Sequence, residues 1–231
     1  MNLFAISDLH LSSNSNKIMS IFGEKWINHS DKVKKNWIDL VCEDDVILHC
    51  GDFSWAMNLN EVQPDLDWLN SLPGTKVLIK GNHDFWWSGI NRLNSIYKNV
   101  KFIQNNYFAF KDYAICGSRG FNIDFYEGQD KNQHLKILNR ERIRMELSIN
   151  SAMKDGFKKF IYMFHYPPFS TKNNCENKNI FLDLIRKYSI EKVLYGHIHS
   201  NFENFQNREL DNTTYYLTSC DYLDFKPLKI L

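Results

Sequence analysis

Short β-branched and aromatic runs recur along this chain, and five of them lead within a residue or two into the Asp, His and Asn groups set out below. The runs are Leu3 to Ser7, Val46 to Cys50, Lys76 to Lys80, Tyr113 to Cys116, Phe160 to Phe164, Lys192 to Tyr195 and Tyr215 to Ser219, with a weaker one near Leu228. Their length and residue types predict strands. Segments of helical period separate them: Asp31 to Cys42 behind a Ser30 cap, Asp65 to Leu72 behind Pro64, His134 to Met153, and Ile180 to Tyr188. Strands alternating with helices make an α/β fold, and in open α/β sheets ligands bind beyond the carboxyl ends of the strands. At those ends stand Asp8 and His10, then Gly51 and Asp52, then Gly81, Asn82, His83 and Asp84, then His165, and last Gly196, His197 and His199. Segments far apart in sequence are therefore expected to meet at one edge of the molecule.

The residue types point to a metal. Imidazole nitrogen mixed with carboxylate and amide oxygen, without thiolate, suits manganese, iron or zinc better than copper(I) or a structural zinc knot. The glycines mark sharp exits from strands where a Cβ would obstruct an ion. A lone His at a strand end is usually a hydrogen-bonded structural residue. Five of the eight histidines falling inside one ordered pattern argue otherwise.

In order, DLH, GD, GNHD, a lone His and GHIH resemble the signature of the calcineurin-like metallophosphoesterases, and the resemblance runs from Asp8 to His199. It implies a two-sheet β-sandwich core flanked by helices. It also implies two divalent metal ions, with Asp8, His10, Asp52 and His199 on one, Asp52, Asn82, His165 and His197 on the other, and Asp52 as the bridge. Ions in two-metal hydrolases lie about 3.5 to 4 Å apart, and a phosphoester is cleaved by in-line attack of the hydroxide they hold. His83 is then the group that protonates the leaving oxygen or clamps the phosphoryl group. Asp84 is a candidate to orient His83, although capping a helix near Ser88 is the favoured reading of it.

Departures from better-known branches narrow the expectation. GDFSWAM and GNHD stand where protein Ser/Thr phosphatases carry a longer GDxxDRG element and GNHE, and Trp55 stands where purple acid phosphatases place a tyrosine ligand. The chain is more similar to compact bacterial phosphohydrolases, whose loop after DLH carries elements like Phe22, Gly23, Trp26 and His29. His29 is therefore a candidate substrate contact. Arg119, held between glycines in GSRG, is a second one, as a bidentate phosphate clamp or as an ordinary surface ion pair. Trp55, Phe85, Trp86 and Trp87 are read as core packing rather than as stacking surfaces for a base, and so are His49 and Cys50. Lys136, Arg140, Arg142 and Arg144 interleave with Glu141 and Glu146 in the manner of a solvated helix face.

Twenty-eight basic residues against 27 acidic ones supply no overall field for nucleic acid or a membrane surface. One domain over residues 1–231 is the default at this length. Five scattered cysteines without a CxxC pair suit unpaired thiols in a reducing compartment, and Met1 to Ser7 is too short an apolar start for a signal peptide. A cytoplasmic enzyme acting on a mono- or diester of a small molecule is the leading expectation. A nuclease is the alternative, and a non-catalytic scaffold is the weakest reading, because every ligand position is filled.

Overall fold

The computed structural model describes residues 1–14, 17–170 and 179–231. Its first sheet holds β1 (Leu3–Ala5), β2 (Val46–His49), β3 (Thr75–Leu78) and β4 (Val100–Phe102), all parallel. The second holds β5 (Tyr107–Phe110), β6 (Tyr113–Ser118), β7 (Lys159–Phe164), β8 (Lys192–Tyr195), β9 (Arg208–Leu210) and β10 (Thr213–Leu217), in the order β5-β6-β7-β8-β10-β9. Its central strands are parallel, and β5 and β9 close its edges in antiparallel fashion. The last strand, β11 (Leu228–Lys229), returns to the first sheet antiparallel to β1.

Both faces of each sheet are covered, which explains why the strands read as continuous apolar runs rather than alternating ones. Leu3, Ala5, Leu48, Val77, Ile115, Ile161, Met163 and Leu194 fill the layer between the sheets. On the other side of the first sheet, Phe4, Ile47 and Leu78 pack with Trp37 of α1 (His29–Leu40), Leu66 and Leu69 of α2 (Gln63–Asn70), and Leu93 of α3 (Ile90–Asn94). On the far side of the second, Cys116, Tyr162 and Val193 pack with Met145 and Ile149 of α4 (Lys131–Lys154) and Phe181 and Ile185 of α5 (Ile180–Lys187). The result is a two-sheet sandwich with helices outside, as the motifs led one to expect.

Several boundaries differ from the sequence reading. Helix α1 begins at His29, behind Asn28 in the left-handed region, so Ser30 lies inside the helix and does not cap it. Asp130 caps α4 instead, accepting from the backbone N–H groups of Asn132 and Gln133. Cys42, Cys50, Cys116 and Cys220 are free thiols, and Cys175 lies outside the described residues. No helix among the described residues is long and apolar enough to cross a membrane.

The two sheets are stitched together where their parallel strands end. Ser7, just past β1, bridges to Ser219, just past β10, through Ser7 N–H to the Thr218 carbonyl (2.7 Å) and Cys220 N–H to the Ser7 carbonyl (2.9 Å). That seam brings the carboxyl ends of β1, β2, β3, β7, β8 and β10 to one edge.

Candidate active site

Two sets of ligand-type atoms meet at that edge. Asp8, His10 and His199 form one set and Asp52, His165 and His197 the other, the atoms of each lying within 4.8 Å of one another. Asn82 joins the second set, its Oδ1 2.5 Å from His165 Nε2. Asp52 Oδ2 reaches toward both, 3.4 Å from His165 Nε2 and 3.9 Å from His10 Nε2. The five strand ends singled out in the sequence thus converge.

The backbone is bent to hold these groups. Asp8, His10, Asp52 and His197 all adopt left-handed φ values, 57°, 47°, 55° and 71°. Such a conformation costs a non-glycine residue about 1 kcal/mol or more and persists only where surrounding structure over-determines it. Gly81 and Gly196 have a tighter reason to be glycine than keeping clear of an ion. A Cβ on Gly81 would overlap Asp52 Oδ1, and one on Gly196 would overlap Asp8 Oδ2.

The electrostatics suit a bound cation. Asp8 is fully buried and accepts from Ser7 Oγ (2.5 Å), Ser219 Oγ (3.1 Å) and the His197 N–H (2.9 Å). Burial, reinforced by the charge of Asp52 and opposed by His199, pushes its carboxyl up to about 7. Burial also raises Asp52, against the pull of the His83 N–H. It lowers His165 and His197 to about 3 and His10 well below its usual range. Three of the imidazoles are thereby kept neutral, whereas His199, despite its own burial, is raised by its bond to Asp221 and by the charges of Asp8 and Asp52; its Nε2 stands 3.3 Å from His10 Nε2. Buried charge of this kind is tolerable when it is paired or coordinates a metal, and this nitrogen and oxygen set fits a divalent ion.

The sequence model of the calcineurin-like phosphoesterases matches residues 1–201. The chain belongs to that family. A curated relative, the Gene 66 protein of Mycobacterium phage L5, is 30% identical over 83 residues, a match spanning 36% of this chain and 40% of that protein. Among solved structures, TT1561 of Thermus thermophilus is similar with TM-score 0.63 and 12% identity, over 99% of this chain and 97% of that one. The phosphopantetheinyl hydrolase PptH of Mycobacterium tuberculosis aligns with TM-score 0.57 and 14% identity, over 100% and 95%. AQ665 of Aquifex aeolicus, a protein of unknown function, aligns with TM-score 0.53 and 16% identity, over 99% and 95%. At these identities the structural likeness speaks to the fold. Family membership supports metal-dependent phosphoester hydrolysis in general.

One residue of this phosphoesterase's site escaped the sequence reading. Asp221 Oδ1 lies 2.9 Å from His199 Nδ1, and its Oδ2 accepts from Lys25 Nζ at 2.9 Å. A carboxylate behind a histidine fixes the tautomer, so that Nε2 is left bare for an ion, and raises ligand basicity. The Cys50 carbonyl stands in the same relation to His165 Nδ1, at 3.0 Å. The strand ending at Ser219 lies two residues before Asp221, so the strand-end rule, applied once more, points to it. Asp221→Ala is expected to weaken metal binding about 10- to 100-fold, read by competition against a metal indicator. Unchanged affinity would show that Asp221 serves only its pair with Lys25.

Other expected residues take different places. Asp84 caps no helix: α3 starts behind Gly89 without a side-chain cap. Its fully buried carboxylate instead accepts from the N–H groups of Asp52 (2.9 Å), Phe53 (2.9 Å), Ser54 (3.3 Å) and Gly81 (2.7 Å) and from Trp86 Nε1 (3.0 Å). These bonds tie the GD turn to the GNHD turn and do not reach the His83 ring, so Asp84 positions loops rather than orienting the histidine. His29 is buried and does not face open space; its Nε2 donates to the Leu9 carbonyl at 2.8 Å and pins the DLH turn. Trp55 is not mere core. It stacks on His10 (4.8 Å between centroids, 24°) and lies 4.4 Å from the His83 ring. Trp86 is buried as expected, but Phe85 is 54% exposed.

His83 is half-buried, belongs to neither ligand set, and is lowered by burial with the Asp52 charge opposing. Its backbone N–H, not its ring, holds Asp52 Oδ1 at 2.8 Å. Arg119 receives His165 and Tyr166 N–H groups at its carbonyl (3.0 and 3.1 Å), which places it directly behind the site. The face of α4 that carries Arg140 and Arg144 is not simply solvated, because Glu141 is completely buried.

Proposed function

We propose that this chain, acting as one domain over residues 1–231, is a dinuclear phosphohydrolase of small phosphorylated molecules, cleaving a mono- or diester. The observation that carries the reading is Asp52 Oδ2 standing between two abutting ligand sets. Asp8, His10, Asp52 and His199 would hold one ion, and Asp52, Asn82, His165 and His197 the other. Manganese, iron and zinc all suit this donor set. Bound divalent ions supply Lewis-acid polarisation of the phosphoryl oxygens and ionisation of water near neutral pH.

The remaining work falls to the chain itself. Asp221 and the Cys50 carbonyl hold His199 and His165 by their Nδ1 atoms, which would leave Nε2 of each for an ion, and Trp55 fixes the plane of His10 by stacking. His83, free of the ligand sets, would donate a proton to the departing oxygen from its charged form, which burial disfavours and the nearby Asp52 charge favours.

Chelation is expected to abolish hydrolysis of nitrophenyl mono- and diesters, and added manganese to restore it, with elemental analysis finding two ions per chain. A reconstituted protein that keeps its circular dichroism spectrum yet binds no metal would sink the reading.

A further inference from the structure

Beside the ligand turns lies a cavity of about 410 Å³ lined by Lys80, Arg119, Arg140 and Arg144, with Trp87 and Ser118 also on its walls. The cations come from three separate places. Lys80 follows β3, Arg119 follows β6, and Arg140 and Arg144 lie one turn apart on the same side of α4. Among the described residues, no Asp or Glu lines the cavity. The carboxylate behind these cations is the buried Glu141, whose Oε1 lies 2.8 Å from Arg144 NH1, 3.8 Å from Arg140 Nε and 4.0 Å from Arg119 NH2.

Three guanidinium groups thus gather around one oxygen. Glu141 Oε2 has no hydrogen-bond partner among the described residues, and neither has the buried Nε of Arg119. Surface ion pairing accounts for Arg142, which meets Glu146 one turn on. It does not account for cations drawn from separate elements around one buried acid, with a guanidinium N–H left unmet. Mutual repulsion in such a cluster is relieved by an anion, and planar guanidinium forks match phosphoryl oxygens two at a time.

No ligand-set residue lines the cavity, but two of its walls connect directly to those sets: Lys80 stands two residues before Asn82, and the Arg119 carbonyl holds the His165 N–H at 3.0 Å. We propose that it is a second phosphoryl subsite, seating a phosphate or diphosphate group while the ester is cleaved at the neighbouring centre. This rests on the phosphohydrolase reading above and adds a substrate class to it, a molecule carrying at least one phosphoryl group besides the one attacked. Free phosphate or pyrophosphate shares that chemistry.

Metal-free protein titrated calorimetrically with inorganic pyrophosphate is expected to bind it. Arg140→Gln and Arg144→Gln should each weaken that binding about tenfold, the loss of one charge-assisted contact. Lys136→Gln, exposed on the same helix, serves as the control. Arg140 is 55% exposed, so the test survives if Arg144→Gln, by stranding Glu141, fails to fold. In the manganese-loaded protein, KM for a bisphosphate should lie below that for the matching monophosphate, and Arg140→Gln should narrow the gap.

Pyrophosphate that binds only after manganese is added, equally in wild type and variants, belongs to the metal centre and overturns the subsite. Binding at the cavity without any KM preference for the bisphosphate assigns it to free anions and overturns the substrate class. Retained pyrophosphate binding without hydrolysis of any ester leaves the subsite standing and fails the phosphohydrolase reading alone.

Discussion

Asp52→Asn is expected to lower kcat by at least about 10³-fold and to reduce the bound metal to one ion per chain or fewer. The substitution is nearly isosteric. An Asn oxygen at Oδ1 can still accept the His83 N–H that now bonds there at 2.8 Å, so the turn should keep its shape. What changes is the other end. In place of Oδ2, which faces His165 Nε2 at 3.4 Å and His10 Nε2 at 3.9 Å, an NH₂ group would point its protons at atoms that must offer lone pairs. On the dinuclear reading, a negative charge shared between two cations would be lost as well. Metal-ion stabilisation of the transition state is worth several kcal/mol, and each step of about 1.36 kcal/mol is tenfold in rate.

Asp8→Asn is the informative comparison. Asp8 touches one ligand set closely and spends its remaining bonds on Ser7, Ser219 and the His197 N–H. It should cost less activity than Asp52→Asn and leave the second ion in place. Metal titration followed by elemental analysis separates the two. Equal stoichiometry and equal activity in both variants would reject Asp52 as a bridge.

His83→Ala should leave both ions bound while slowing esters of poor leaving groups by about 10²-fold or more, the usual contribution of a positioned general acid. The structure makes this variant clean, since His83 contributes to Asp52 through its backbone N–H, which the substitution retains. An alkyl phosphate needs a proton on its departing oxygen; nitrophenolate leaves without one. The deficit should therefore shrink as the leaving group improves, and a plot of log kcat against leaving-group pKa should steepen in the variant. Loss of a metal ion on substitution would make His83 a ligand, and an equal loss for all esters would make it a phosphoryl clamp. The half-burial of its ring against Trp55 lies behind either outcome, because it holds the imidazole in one place.

The strands that were legible in the sequence are those buried on both faces, where an apolar run of four to six residues has few other uses. β4, β5 and β9 were missed for the opposite reason. They are three or four residues long and sit at sheet edges, where Lys101, Ala109, Arg208 and Glu209 are partly or fully exposed and dilute the pattern. The β9–β10 hairpin did leave a signal in Asp211-Asn212, two residue types that tolerate the left-handed values they adopt here (φ 52° and 64°). Helix α1 began earlier than the Ser30 signal suggested because His29, its first residue, is held from outside the helix by the Leu9 carbonyl.

The order of chemistry along the chain was set by sequence alone. Each ligand-type cluster follows a strand, and parallel strands in a covered sheet end on one side, so Asp8, Asp52 and Asn82 had one end of the first sheet to share and His165, His197 and His199 one end of the second. Pattern reading works there because strand direction is a local property with a global consequence. It could not say which carboxylate stands behind which histidine, or what a lone cation faces. The pairs that decide those matters join residues remote in sequence: His199 with Asp221 and through it Lys25, Asp84 with the 52–54 turn, His29 with Leu9, and Arg119 with Glu141 on the helix that covers its sheet. Such contacts exist only when the chain is folded and the sheets are sewn together at Ser7 and Ser219, since neither partner alone carries a pattern that names the other.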